Sequence, residues 1–314
     1  MAEVVSKPKI SKELKELAHG ISVNGAKIGM SLKIIEAEAC GNTFLIIDEQ
    51  NVSLDSDSRS KIAIELGKKS GKDDFLFISP LKDGVVRMRI IDRDGLEGDM
   101  CGNGSRCVAK YLIDHIQYTS PITLETNAGM KKVSKVGKDL FNVEMGNPKM
   151  DKELWNTTVS VDGADFKAFF INTGEPHAVI LVDDISKLDV NVLGKAISAD
   201  KKFEGKLGGD PNLENGGPNV TFVQIVDSTT IKIRTYERGC KRETLACGTG
   251  ATAAAIVAIE ENTVGSGAVS VSCKGGSLKV SYTPESTILE GEAHISEPII
   301  LNVKDPSILI EPRK

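Results

Sequence analysis

Aromatic side chains are scarce in this chain: one Trp, four Tyr and nine Phe make up 4% of its 314 residues. Basic residues show no excess, since 39 Lys and Arg stand against 44 Asp and Glu for a net charge of −5. A nucleic-acid binder needs a basic footprint and often stacking rings, so no nucleic-acid partner is expected. No apolar run approaches the roughly 20 residues of a membrane-spanning helix, and residues 1–30 lack the continuous apolar stretch of a secretory signal. Only four His are present, and the spacings Cys101/Cys107 and Cys240/Cys247 are too wide for a Cys-x-x-Cys knuckle, so no metal site is expected. Six Cys in a chain of this length do not make a disulfide framework. These absences point to a cytoplasmic protein with reduced thiols and no membrane association.

What is present is ordinary in bulk and unusual in two places. Hydrophobic content of 40% and charged content of 26% suit a soluble globular enzyme, and the length suits two domains. The first unusual place is Asp99-Met100-Cys101-Gly102-Asn103-Gly104-Ser105-Arg106-Cys107, which leads into the apolar, helix-prone run 108–113. Its twin is Leu245-Ala246-Cys247-Gly248-Thr249-Gly250-Ala251-Thr252, leading into 253–259. Each reads as a cysteine and Gly-x-Gly at the mouth of a helix. Glycine permits a tight turn and close approach of backbone to a ligand. The free N–H groups of a first helical turn form an anion site and bias a thiol there towards thiolate. Two copies 146 residues apart (247 − 101) suggest one site built from two halves.

The order of signals along the chain repeats as well. Residues 1–30 look appended, with a short helix over 10–18 capped by Ser11 and ended by Gly20. This extension either carries no function, translation starting at Met30, or forms a surface helix or a contact in a homodimer. Strands are expected over 31–35, 43–48, 75–79, 85–91, 122–125, 131–136 and 140–145, and a helix over 54–69. Gly146-Asn147-Pro148 interrupts the pattern and marks the expected boundary. Strands follow over 166–172, 178–182, 219–226, 230–236, 269–272, 277–282 and 287–290, with a helix over 188–198 and a glycine-rich polar loop over 201–217. The expected organisation is an extension (1–30), a first lobe (31–147) and a second lobe (148–292), with a C-terminal strand within 293–314 returning to the first. The expected fold is α+β: two pseudo-symmetric lobes of mostly antiparallel strands, each around a central helix, with the active site in the cleft between them.

Two cysteines at helix N-termini admit four chemistries. One is proton transfer at a carbon next to a carboxylate, a thiolate removing the proton and an opposite thiol returning one. The others are a redox disulfide, acyl transfer by one Cys with His177 as base, and buried cysteines with no chemical role, which is the expectation for Cys40, Cys107, Cys240 and Cys273.

The two cysteine boxes, with Tyr236-Glu237-Arg238-Gly239 ahead of the second, resemble the two signatures of the diaminopimelate epimerase family. The similarity runs in motif order from about residue 31 to the C-terminus, through Gly41-Asn42, Asp94-Gly95, Gly174 with Pro176-His177, and Asn219-Val220-Thr221-Phe222. It implies an amino-acid epimerase that uses no cofactor and acts on a small-molecule substrate. Cys101 and Cys247 would be its acid/base pair. Gly102, Asn103, Gly248 and Thr249 would hold the α-carboxylate, and Asn42 would contact the reacting end. Glu237 and His177 would flank the reacting centre, Glu237 also accepting from the substrate ammonium. Asn219 and Arg238 would read the distal end, where a guanidinium can take a carboxylate bidentately.

The chain departs from the family at Asp92, where Asn is usual, and at Glu175, often Asn. It also lacks the family's Gly-Ile-Gly-Ala-Asp-Gly loop near 67–75. Carboxylates suit a cationic distal end better than a zwitterionic one. These two departures raise racemisation of lysine, arginine or histidine as the alternative, whereas retention of Arg238 favours a distal carboxylate, so the expected reaction is epimerisation of LL-diaminopimelate to the meso form in lysine biosynthesis. A duplicated, non-catalytic small-molecule binder is the third possibility. Asp92 and Glu175 join the candidate substrate contacts.

Overall fold

Two parallel crossovers, each carried by a helix, recur in both halves of the chain and account for the repeated order of its signals. The computed structural model describes residues 11–17, 20–23, 30–72, 74–203, 206 and 217–304. By contact, the chain divides into two units: one of residues up to Ala39, Thr43–Asp139 and Ala293 onward, the other of Cys40–Asn42 and Leu140–Glu292.

In the first unit, strand Asn42–Asp48 is followed by helix Ser56–Ser70, and strand Asp74–Pro80 then lies parallel to Asn42–Asp48, with Phe44 opposite Asp74. Parallel neighbours need such a crossover, whereas the next strand, Val86–Asp92, returns antiparallel through the turn at Lys82–Gly84. The second crossover is helix Gly102–His115, after which Ile122–Thr126 pairs parallel with Val86–Asp92 and Gly129–Lys135 closes the meander. Strand Met30–Ala39 pairs with Asn42–Asp48 and, antiparallel, with Ile299–Lys304. Local chemistry sets the outer helix. The Asp55 carboxylate accepts from Ser58 N at 2.8 Å at its start, and Gly71 ends it. Ile62 and Leu66 of this helix are buried against Leu45, Ile47, Phe75 and Phe77, while Ile64 is only half-buried.

The second unit repeats this plan. Pro176–Leu181 and Asn219–Asp227 are parallel, joined through helix Val190–Ser198, which Asp189 caps. Thr230–Glu237 runs antiparallel to Asn219–Asp227. Helix Gly248–Glu260 then leads to Ala268–Cys273, parallel to Thr230–Glu237, and Gly276–Thr283 and Ser286–Glu292 complete the meander. Gly248–Glu260 is apolar on every side and buried from Gly248 to Ala258, as an all-round hydrophobic helix must be. Burial of Ile256 and Val257 alone contributes about 1.5–3 kcal/mol each.

Two sequence expectations change. The division falls between Asp139 and Leu140 rather than at 147, because Leu140–Glu144 pairs with Ser286–Glu292, Val143 facing Leu289. A further strand, Thr157–Val161, lies where the sequence suggested no element and pairs with Ala164–Asn172. The strands are mostly antiparallel as expected, and the four helix-spanned joins, at 44/74, 86/124, 177/219 and 230/270, are parallel. The N-terminal helix is Lys12–Leu17; the rest of residues 1–30, apart from 11, 20–23 and 30, lies outside the described residues, as does most of the glycine-rich loop 201–217.

Candidate functional site

In the second unit the strand directions gather the candidate residues at one end of the sheet. Pro176–Leu181 and Asn219–Asp227 are parallel, so both begin there, with His177 opposite Asn219. Thr230–Glu237 is antiparallel to Asn219–Asp227 and therefore ends there. Glu175, His177, Asn219, Glu237 and Arg238 come together in this way.

Cys247 caps the helix beside them. Its backbone is extended (φ −121°, ψ 114°), and its Sγ accepts from Gly250 N at 3.4 Å. Its carbonyl takes the Ala251 N–H at 2.8 Å. The cap leaves the first two N–H groups, those of Gly248 and Thr249, outside the helical ladder. Gly250 is closely packed: a Cβ there would stand 3.0 Å from Thr221 Oγ1 and 3.2 Å from His177 Cε1, so these neighbours would have to give way by a few tenths of an ångström.

A hydroxyl relay runs inward from this sulfur. Cys247 Sγ lies 3.3 Å from Thr249 Oγ1, which lies 2.9 Å from His177 Nε2. His177 Nδ1 meets Thr221 Oγ1 at 3.0 Å, and Thr221 Oγ1 meets Thr235 Oγ1 at 3.2 Å. His177 is fully buried. Burial first, and then the Arg238 charge, push its imidazole down to about 3, so it is neutral at physiological pH. It reaches Cys247 only through Thr249, which removes the acyl-transfer arrangement of a Cys nucleophile against a His177 base.

Glu237 approaches the same thiol from another direction. Its carboxylate accepts from Thr244 Oγ1 at 2.5 Å and is hydrogen-bonded to the Cys247 side chain. Burial raises its pKa, and these two bonds and the Arg242 charge oppose the rise without cancelling it.

The distal candidates are tied to one another. Arg238 Nη2 donates to Glu175 Oε2 at 2.8 Å and Nη1 to Gly217 O at 3.2 Å. Asn219 Oδ1 accepts from Arg238 N at 3.0 Å and so fixes the backbone that carries the guanidinium.

Cys40–Asn42 completes this neighbourhood. Asn42 Nδ2 donates to Ala246 O at 2.6 Å, one residue before Cys247, which leaves Oδ1 as the amide's acceptor. The backbones interlock here: a Cβ on Gly275 would stand 2.1 Å from Cys40 O.

In the first unit Cys101 caps helix Gly102–His115 with nearly the same geometry. Its angles are φ −135° and ψ 109°, and its Sγ accepts from Gly104 N at 3.3 Å. Gly102 and Asn103 N–H are left over as on the other helix. Asn103 is 1% exposed, and its Nδ2 has no hydrogen-bond partner among the described residues. Asp92 ends Val86–Asp92 opposite Asp74, and its Oδ1 accepts from Asp94 N at 2.8 Å and Leu96 N at 2.9 Å, capping its own turn.

No role was assigned from sequence to Thr221, Thr235, Thr244 or Arg106, although Arg106 and Thr221 stand within the quoted motifs. The signal for three of them was a polar residue among apolar neighbours: Thr221 between Val220 and Phe222, Thr235 in step with Ile231 and Ile233, and Arg106 ahead of the apolar run 108–113. Among the described residues no group of three or more His, Cys, Asp or Glu could hold a metal ion, and no helix is long and apolar enough to cross a membrane.

The sequence profile described as diaminopimelate epimerase matches residues 36–151 and 169–295. The chain is 36% identical over 258 residues to a diaminopimelate epimerase of Aquifex aeolicus, covering 77% of this chain and 86% of that one. It is 32% identical over 277 residues to one of Archaeoglobus fulgidus, covering 84% and 94%. Among solved structures, a hydroxyproline epimerase of Agrobacterium vitis shares the fold with a TM-score of 0.64 at 14% identity, covering 90% of this chain and 95% of that one. A phenazine biosynthesis protein of the PhzF family from Bacillus anthracis does so at 0.62 and 15%, covering 86% and 99%.

Proposed function

The chain belongs to the diaminopimelate epimerase family, and from that premise we propose that it converts LL-diaminopimelate to the meso form by transfer of protons between two thiols and one α-carbon. What carries the proposal is the matched capping of Cys101 and Cys247, each holding its sulfur 3.3–3.4 Å from a first-turn N–H. A thiolate so placed is stabilised by a charge-assisted hydrogen bond and by the helix dipole.

One sulfur, as thiolate, takes the Cα proton and becomes a thiol. The other, as thiol, delivers its proton to the opposite face and becomes a thiolate. Nothing is consumed, and the two sulfurs finish with exchanged protonation states, ready for the reverse direction. Inversion requires the carbon to meet one thiol from each side. The charge left at Cα spreads into the α-carboxylate, for which the unused N–H groups of Gly102, Asn103, Gly248 and Thr249 are suited donors. Asn42 Oδ1 and the Glu237 carboxylate are acceptors for the ammonium. His177 holds Thr249 in place, and Arg238, braced by Asn219, takes the distal carboxylate in competition with Glu175. Thiol acid/base chemistry of this kind requires neither metal nor cofactor. We place the reaction in the cytoplasm.

The alternative of a cationic distal end loses its support at both positions that motivated it. Glu175 neutralises Arg238, and Asp92 caps its own turn. Incubation with LL-diaminopimelate in D2O tests the proposal: deuterium should enter at the inverted Cα, and Cys101→Ser and Cys247→Ser should each abolish inversion. Inversion retained by both variants, or inversion of lysine but not of diaminopimelate, would overturn it.

A further inference from the structure

The first turn of helix Gly102–His115 contains a fully buried cation that the proton-transfer scheme does not use. Arg106 is 0% exposed, donates through Nη2 to Asn103 Oδ1 at 2.8 Å, and directs Nη1 to Gly102 O at 3.4 Å. A side-chain amide has two nearly isosteric ends, one accepting and one donating. Left to itself, Asn103 could present either end outward. A guanidinium has donors only, so the end that faces Arg106 must be the oxygen. The other end is then Nδ2, the buried amide nitrogen that has no partner among the described residues. An unsatisfied donor held at 1% exposure is costly unless a ligand completes it.

We propose that Arg106 is a positioning residue: by holding Asn103 Oδ1 it makes the Asn103 amide an obligate donor, and so makes the first-unit side of the carboxylate site selective for an anion. That the anion is the α-carboxylate of an amino acid rests on the function proposed above. The second helix supports the division of labour independently. Two residues after Cys247 stands Thr249, whose hydroxyl donates or accepts by rotation and has no orientation to fix. Five residues after it stands Thr252 where the first helix has Arg106, and its Oγ1 donates back to Gly248 O at 2.9 Å. The buried arginine accompanies the amide and is missing where the amide is missing.

The decisive variant is Asn103→Asp. Its carboxylate still accepts from Arg106, so the thermal midpoint should stay at or above that of the wild type, yet an acceptor oxygen takes the place of the Nδ2 donor. Its KM for LL-diaminopimelate should rise roughly 10- to 100-fold, the scale of a lost hydrogen bond to a charged group. Arg106→Met should raise KM by about tenfold with a smaller change in kcat, and Arg106→Lys, which keeps a charged donor, should recover part of the loss. A folded Asn103→Asp or Arg106→Met protein with wild-type KM overturns the proposal, and if Arg106→Met fails to fold, Asn103→Asp and Arg106→Lys decide it. A readout without substrate separates this inference from the reaction itself. With 15N-labelled asparagine, the Asn103 Nδ2 resonance should shift between wild type and Arg106→Lys, and an unmoved resonance overturns the inference. Wild-type protein that shows this shift but incorporates no deuterium at Cα would overturn the proposed reaction and leave the orientation of Asn103 standing.

Discussion

Replacing Thr249 by Val removes one oxygen from the relay while preserving shape. That oxygen is the contact of His177 Nε2 at 2.9 Å and lies 3.3 Å from Cys247 Sγ. His177 is 0% exposed, so no water is at hand to replace the lost partner, and a buried polar group left unmade costs about 1–3 kcal/mol. Cys247 keeps the Gly250 N–H and its bond to Glu237, so the loss falls on the imidazole rather than on the sulfur. Urea unfolding of the full chain should therefore show Thr249→Val destabilised by about 2 kcal/mol. His177→Phe, which fills the space and abandons the relay, should be destabilising on its own. The double variant should be less destabilised than the sum by roughly 1–2 kcal/mol, because the first substitution has already forfeited the bond the second would break. Strict additivity, or a Thr249→Val protein as stable as the wild type, would refute the relay.

The same histidine predicts a pH dependence. Its folded pKa of about 3 lies below the unfolded value of 6.5, so the unfolded chain binds the proton more readily between these limits. The stabilising difference is present in full above pH 6.5 and is lost as pH falls towards 3; at about 1.4 kcal/mol per unit it amounts to ~5 kcal/mol at most. His177→Gln should flatten the acid limb of the stability profile over that window, and an unchanged limb would place the proton elsewhere. Glu175→Asn should release Arg238 from its internal carboxylate and lower KM for LL-diaminopimelate roughly three- to tenfold. A raised KM, or a gain of activity on lysine, would show that the pair does not compete with the distal carboxylate.

The duplicated order of glycine turn, strand, helix and cysteine cap was legible because each element has a local cause: period-2 alternation, helical spacing, Asp55 and Asp189 as caps. The thiols were legible for the same reason, since a cap is a property of four consecutive residues. Contacts between distant segments were not. Nothing near residue 140 announces that Val143 will face Leu289, so the division of the units was placed eight residues late. Thr157–Val161 carries β-branched residues, but its hydroxyls left it without an assigned element. Asn42 and Glu175 were read as free to meet a ligand, whereas Ala246 O takes the donor of one and Arg238 takes the charge of the other. Local spacing shows which polar groups a segment offers; the tertiary partners decide which atoms are still available.

The return of the chain at Ile299–Lys304 has a consequence for synthesis. Everything in the second unit emerges from the ribosome by Glu292, whereas Met30–Ala39, which gains Asn42–Asp48 at once, must wait for residues 299–304 to gain its second neighbour. Leu32 and Ile34 are fully buried beside Leu301 in the finished protein and have no such cover before then. Nascent chains stalled before residue 299 should therefore hold an ordered second unit and a first unit with one sheet edge open, the state most exposed to edge-to-edge association. The unit that starts first is the one that finishes last.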